Sequence, residues 1–393
     1  MAYYRKSFGL RNEIQDSLNN LYESEFINNL RLNGGKYQVG NLTFHLAKVF
    51  GFCWGVDRAI SMAFECAKYF QGKQIWITNE IIHNPLVNNN LVQMNIKFIP
   101  KNDDNAIDFS LIQSEDVVIL PAFGVSHDDL LKLNSRGCQI VDTTCPWVSR
   151  VWHRIEKYQN QDFTAIIHGK YNHEETIATA SRSYKFLIVQ NFDEAKWVAN
   201  FMLNSGDPNE FLQKFKFASS KDFNPEIDLA KIGIANQTTM LKGETELIGK
   251  LFEETVIKKY GPHNINDHFM SPGDTICDAT QERQDAMYSL IKEPLDMVLV
   301  IGGFNSSNTG HLQEIAESNG LKSYHIDGVD CLINRKSIKH KIAHSGKMIL
   351  THGWLQNGLT NIGITSGAST PNQVVASVIS KVVELATKEQ LKL

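Results

Sequence analysis

The sequence predicts an α/β protein built on parallel sheets. Three observations predict it. From Leu46 onward a short β-rich run recurs, each time ending in a loop of small and polar residues and leading into an amphipathic helical pattern. The composition is that of an ordinary globular chain, 42% hydrophobic and 21% charged, and 393 residues suffice for two or three domains at roughly 150 residues each. No stretch is low in complexity, and none approaches the ~20 consecutive apolar residues that cross a bilayer.

Taken in order, residues 1–45 read as a polar helical extension, with apolar Leu21, Phe26 and Leu30 and a stop at Gly34-Gly35. LAKVFGFCWG then precedes the helical pattern VDRAISMAFECAKYF, and IWITNEIIHNP precedes LVNNNLVQM. VVILPAFGVS leads into HDDLLKLN, and CQIVDTTCP into WVSRVWHRIEKYQ. FTAIIHGKYNHE, VLVIGGFNSSN and NIGITSGASTP each introduce a further helix, the last being NQVVASVISKVVEL. Short loops between alternating strands and helices require parallel crossovers, and the recurrence of the unit points to several small α/β domains. Residues 191–230 are more polar and irregular and read as an insertion or exposed layer.

The net charge is −4, with no run of like charge, which does not support a nucleic-acid partner. MAYYRKSFGLRNEIQD has no apolar core and soon turns acidic, unlike a secretory or transit peptide. A cytoplasmic location is expected, or a plastid stroma for a processed plastid protein. The six cysteines are too sparse for a disulfide scaffold, so special cysteines should be metal-binding or reactive. With no CxxC pair, any metal site must be assembled from distant parts of the chain.

Cys53, Cys145 and Cys277 share one context. Each follows a β-rich run and precedes a helical pattern, and Pro146 suits a first helical position. The positive end of a helix dipole stabilises a thiolate, the form that ligates metal. One such cysteine is most simply a small buried hydrophobe. Three in matched contexts, about one in each third of the chain, favour thiolates converging on one metal centre beyond the strand ends. Three ligands without a fourth cysteine imply an open coordination position, and thiolates favour iron–sulfur clusters or zinc without choosing between them. Cys66, Cys138 and Cys331 read as structural.

Asn305-Ser306-Ser307-Asn308 and Ser366-Gly367-Ala368-Ser369-Thr370-Pro371 follow β-runs and precede helices. Each is explained by helix capping alone; together with nearby histidines they favour a phosphate or diphosphate site. Neither a P-loop nor a GxGxxG fingerprint is present, which argues against a nucleotide. His83 stands before Asn84-Pro85, and His173 with Glu175 stands in HGKYNHEET. A histidine and a carboxylate at a strand end can hold an anion and deliver a proton, although Glu174 and Glu175 also suit a first helical turn. Thr238 and Thr239 are placed to cap a helix or to bond a substrate hydroxyl. His127, His168, His311 and His352 read as structural.

In this order GFCWGVDRAI, EIIHNP, DTTCPWV, HGKYNHEET, NQTTML, DTICDATQERQDA, IGGFNSSNTGHL and TSGASTP resemble the LytB/IspH family of 4-hydroxy-3-methylbut-2-enyl diphosphate reductases. The resemblance runs from about Leu46 to Val375 and is closest to the longer cyanobacterial and plant type. It implies three α/β domains in pseudo-threefold arrangement around a [4Fe–4S] cluster held by Cys53, Cys145 and Cys277. The expected division is an extension at 1–45, domains at 46–144, 145–276 and 277–372, and a C-terminal helix at 373–393. The resemblance implies that an open iron takes the C4 alkoxide of the allylic diphosphate substrate. Two electrons and two protons then remove that hydroxyl as water, giving isopentenyl or dimethylallyl diphosphate, the last step of the methylerythritol phosphate route. Glu175 matches the proton-donating glutamate and Thr238 the threonine near the substrate hydroxyl. His83, His173, Ser306, Ser307, Asn308 and Ser369 match diphosphate contacts. Where many bacterial members carry a third histidine, this chain has Phe123.

A three-cysteine zinc hydrolase is the alternative enzyme, distinguished by its lack of colour. An iron–sulfur sensor would leave Glu175 and the Ser/Asn loops without a purpose, and an electron carrier would fill every iron position with protein ligands. With no flavin or nicotinamide fingerprint, electrons are expected from a separate ferredoxin- or flavodoxin-type protein, with no nucleic-acid or membrane partner.

Overall fold

The computed structural model describes residues 2–102, 106–271, 273, 275–343, 345–355, 358 and 360–387. The chain divides into two compact units, Met1–Arg5 with Gly72–Asn79 and Lys97–Cys277, and Lys6–Gln71 with Glu80–Ile96 and Asp278–Leu393. Among the described residues no helix is long and apolar enough to cross a membrane.

The first unit carries two sheets. One has the strand order Tyr3–Tyr4, Gln139–Asp142, Val117–Leu120, Ile75–Ile77, Ile96–Phe98. Val118, Leu120, Leu133 and Ile140 pack in its core. The other runs Phe269–Met270, Ile232–Asn236, Thr164–His168, Phe186–Val189, with every pairing parallel. Val117–Leu120 in the first sheet and Ile232–Asn236 in the second are buried on both faces, which is why VVIL and IGIAN read as continuous runs and not as alternation.

The second unit carries a seven-stranded sheet: Met348–His352, Ser337–Lys341, Ser323–Ile326, Met297–Ile301, Thr360–Ser366, Leu42–Leu46, Lys36–Val39. Its four central strands are parallel, as the sequence predicts. The edges correct the expectation, because Lys36–Val39 pairs antiparallel with Leu42–Leu46 and two antiparallel strands close the other side. These strands lie close in sequence, and a short connection can join only antiparallel neighbours. The Leu42–Leu46 strand before Cys53 therefore shares a sheet with strands from 297–366, which a contiguous cut at residue 145 does not bring together.

Two further local expectations are corrected. Among the described residues of the N-terminal 45, the helices are Arg11–Tyr22 and Glu25–Leu32, whereas Tyr3–Tyr4, Lys36–Val39 and Leu42–Leu46 are strands. Ser24 accepts the Ile27 N–H and starts a new helix, which resets the phase of the apolar face, so Leu21 is exposed while Ile14, Leu18, Tyr22, Ile27 and Leu30 are buried. Residues 191–230 hold helices at Phe192–Asn204, Pro208–Lys214 and Pro225–Asp228. The polar residues that made this stretch look irregular include its N-caps, Asn191, Asp207 and Asn224. Phe201, Phe211, Phe215 and Phe223 are buried beneath them.

Candidate functional site

All three singled-out cysteines stand at helix starts. Cys53 caps Trp54–Tyr69, Cys145 caps Pro146–Gln159, and Cys277 immediately precedes Asp278–Leu290. The Cys53 sulfur itself accepts the Val56 N–H at 3.4 Å, the bond an anionic cap would make.

Their backbone attachment repeats. Cys53 N–H donates to the Ala368 carbonyl at 3.1 Å, Cys145 N–H to Ala122 at 2.9 Å, and Cys277 N–H to Thr238 at 3.3 Å. Each acceptor stands two residues beyond the end of a strand (Thr360–Ser366, Val117–Leu120 and Ile232–Asn236), and each of those strands is the parallel neighbour of the last strand before the cysteine. One arrangement is thus used in three sheets, two in the first unit and one in the second. Cys53, Cys145 and Cys277 are partly accessible, whereas Cys66, Cys138 and Cys331 are buried. Burial pushes all three buried thiols up, Cys331 to about 11. That set stays protonated, and the accessible set is the one suited to bind metal.

In the first unit the Cys277 attachment leads to the acid. Thr238 N–H donates to Glu175 Oε1 at 2.5 Å while the Thr238 carbonyl holds Cys277. Glu175 is 2% exposed and lies in the first turn of Glu174–Ala180. His173 caps that helix, its Nδ1 accepting the Glu175 N–H at 3.2 Å. Thr238 and Thr239 cap no helix, since the next begins at Lys242; Thr239 Oγ1 instead accepts from Gln237 Nε2. Asp274, in the segment before Cys277, lies outside the described residues.

Phe123 does not reproduce a histidine contact. Its ring meets the His173 imidazole edge to face, with centroids 5.6 Å apart, and so orients that ring. His127 is exposed, with its Nδ1 3.3 Å from Arg182 Nη1. His168 is buried against Thr245 Oγ1, in keeping with a structural part.

In the second unit the Ala368 attachment leads to the hydroxyl and amide loops. Ala368 N–H donates to Asn308 Oδ1 at 3.0 Å. The Asn308 amide nitrogen is buried and has no hydrogen-bond partner among the described residues, a donor that an anion would satisfy. Ser306 does cap Ser307–Ser318, accepting the Thr309 N–H. Ser307 is buried at the first position of that helix. Ser369 Oγ donates to the His83 carbonyl at 3.3 Å, and His83 Nδ1 lies 2.9 Å from Glu80 Oε2. A side chain at Gly303 would run into that same carbonyl, which accounts for a glycine in IGGF.

Four contributors lay outside the sequence reading. Glu80 orients His83 from three residues upstream. Gln237 Oε1 accepts both the Lys170 N–H and the Thr176 hydroxyl, tying the glutamate's loop to the Thr238 loop. Lys341 Nζ donates to the Phe304 carbonyl, and Gly303 lets the His83 backbone approach. Only Glu80 and Gln237 left a local signal, since EIIH and NQTT contain them.

Comparison with known proteins follows the same residues. The family described as LytB protein matches residues 44–383. The 4-hydroxy-3-methylbut-2-enyl diphosphate reductase of Gloeobacter violaceus is 55% identical over 386 residues, covering 98% of this chain and 92% of its own. That of Microcystis aeruginosa is 55% identical over 380 residues, covering 97% and 94%. The structure of the E-1-hydroxy-2-methyl-but-2-enyl-4-diphosphate reductase from Plasmodium falciparum superimposes with a TM-score of 0.63 at 23% identity over 86% of each chain, a similarity of fold.

Proposed function

The chain belongs to the LytB family and is homologous to its reductases over nearly its whole length, and on that premise we propose that it reductively dehydroxylates (E)-4-hydroxy-3-methylbut-2-enyl diphosphate to isopentenyl and dimethylallyl diphosphate. This is the last step of the methylerythritol phosphate route. The observation that carries the reading is the threefold attachment of Cys53, Cys145 and Cys277, each N–H on a carbonyl two residues past a neighbouring strand.

The three sheets are then three α/β domains in pseudo-threefold arrangement, each presenting one thiolate to a shared [4Fe–4S] cluster. Accessible sulfurs at helix starts fit that group; the buried, protonated Cys66, Cys138 and Cys331 do not. When bound, the cluster would relay the donor protein's two electrons one at a time and would offer a Lewis-acidic iron to the substrate oxygen. The overall change breaks the C4–O bond, forms one C–H bond at either of two allylic carbons, and releases the hydroxyl with a second proton as water.

The chain's own groups do the rest. Glu175 gives a proton to the departing hydroxyl, its carboxyl oriented by the Thr238 N–H. The Thr238 side chain stands beside that hydroxyl. Asn308, Ser306, Ser307, Ser369, His83 and His173 hold the diphosphate, which fixes the allylic carbons in place. The Asn308 amide donor and a helix N-terminus favour the anion. Electrons come from a separate ferredoxin- or flavodoxin-type protein.

The test is anaerobic purification, iron and sulfide analysis, and a reductase assay with an artificial electron donor. Equal iron and sulfide, a brown chromophore and both isomeric products are expected. Zinc in place of iron, or an unchanged substrate, would refute the assignment.

A further inference from the structure

Residues 1–5 belong to the first unit and 6–45 to the second, and within each unit they grip the residue three positions before a cysteine. In the second unit Arg31 Nη2 donates to the Phe50 carbonyl at 2.7 Å and to Asn372 Oδ1 at 3.1 Å, with the guanidinium 4.1 Å above the Phe50 ring. Asn372 Nδ2 in turn donates to Glu23 Oε2, so two residues of the segment hold the start of the C-terminal helix. Gly51 lies directly against this pair: its φ is +87°, and a side chain there would meet Asn372 Oδ1. Its N–H donates to Ser366 Oγ, and its carbonyl accepts from Arg283 Nη2. The Phe50 carbonyl, both polar backbone groups of Gly51 and the Cys53 N–H are therefore all fixed, and Arg31 supplies the first of these bonds from within the first 45 residues.

In the first unit Tyr3 Oη and Arg5 Nε both donate to Asp142 Oδ2, at 2.9 and 3.0 Å. Asp142 is 4% exposed, and its other oxygen accepts the Thr144 N–H beside Cys145. Burial and the Asp142 charge push the Tyr3 phenol up to about 12, which keeps it a donor.

We propose that the N-terminal segment is a positioning device for two of the three cysteine ligands, with Arg31 setting the Cys53 loop and Tyr3 and Arg5 setting the Cys145 loop. The proposal rests on the reading of these cysteines as metal ligands. An Arg side chain suits the first task because one planar fork serves two acceptors and stacks on a ring, which lysine cannot do. Both contacts fall on groups three residues before a cysteine, so these are positioning residues.

The test uses the full chain, purified anaerobically as wild type, Arg31→Met, Arg31→Lys and Arg5→Met. Iron release to a ferrous chelator is followed first. The metal-free chains are then treated with iodoacetamide at one pH, and peptide mass spectrometry gives separate rates for Cys53, Cys145 and Cys277. Losing a charged donor to a buried carbonyl should change the Cys53 rate about tenfold in Arg31→Met, with faster iron release. Cys277, held by Thr238, should stay within about twofold, because its attachment is made by a strand end of the first unit and not by Arg31. Arg5→Met should move Cys145 alone, and Arg31→Lys should recover part of the Cys53 rate. A general loosening would move all three thiols together; that result, or no change at Cys53, overturns the proposal. If Arg31→Met does not fold, Arg31→Lys decides by the same ratio of Cys53 to Cys277. Absence of iron from the wild type would instead refute the functional assignment, and the alkylation pattern reads independently of it.

Discussion

In the first unit Thr238 gives its N–H to Glu175 and its carbonyl to Cys277; in the second Ala368 gives its N–H to Asn308 and its carbonyl to Cys53. The backbone solution is the same, and the side chain it secures is not. One strand end positions a carboxyl, which exchanges protons. The other positions a carboxamide, which at ordinary pH does not titrate and can only donate or accept. Under the proposed function, a shared scaffold would separate proton delivery from anion recognition by a single choice of residue, and each role should be removable without the other.

The largest expected effect breaks the comparison on its acidic side. Glu175→Gln keeps the shape and the Thr238 bond but removes the proton, so turnover should fall about 100-fold or more with iron content and KM nearly unchanged. Steady-state kinetics on the iron-replete variant checks this, and near-normal turnover would take Glu175 out of the role. On the neutral side Asn308→Ala should raise KM about tenfold or more, the cost of a lost bond to a charged group. Gly303→Ala should act in the same direction by displacing the His83 backbone. A fall in kcat with KM untouched would place either residue in the chemical step.

A smaller effect sharpens the distinction between the cysteine sets. In the metal-free chain at pH 8, Cys66, Cys138 and Cys331 should alkylate at least about tenfold more slowly than Cys53, because burial and a raised thiol pKa both limit their thiolate. Equal rates by peptide mass spectrometry would dissolve the two classes. The smallest effect concerns stability. Burial lowers the His340 pKa, so the folded state prefers the neutral ring. That contribution is complete above the ordinary histidine pKa of about 6.5 and is lost as pH falls below it. Thermal unfolding at pH 7.5 and 5.5 should show a shallower acid loss in His340→Gln than in wild type.

Much of this was legible in the sequence, and for specific reasons. Strand-to-helix loops announce themselves through VVIL or IGIAN followed by small residues, so the neighbourhoods of Cys53, Cys145, Cys277 and the Ser/Asn loops could be read directly. The antiparallel edges could not, because Lys36–Val39 and Leu42–Leu46 lie in a stretch dominated by helical signals on its N-terminal side. The carbonyl partners of the cysteines were equally hidden. Ala122 and Ala368 act through backbone alone, and a backbone acceptor leaves no trace in residue type. Phe123 shows the complementary difficulty: the substitution was visible, but its edge-to-face contact with His173 depends on a fold that joins the two loops.

The His173 cap carries one more consequence. An imidazole that commits its Nδ1 lone pair to the turn above it has settled on a single tautomer, with hydrogen on Nε2. Ferrying a proton through such a ring requires its two nitrogens to trade roles, and here that trade would undo the opening turn of Glu174–Ala180. His173 is thereby suited to donate from Nε2 alone, and under the proposed function the delivery of hydrogen ions is left to Glu175, two residues on.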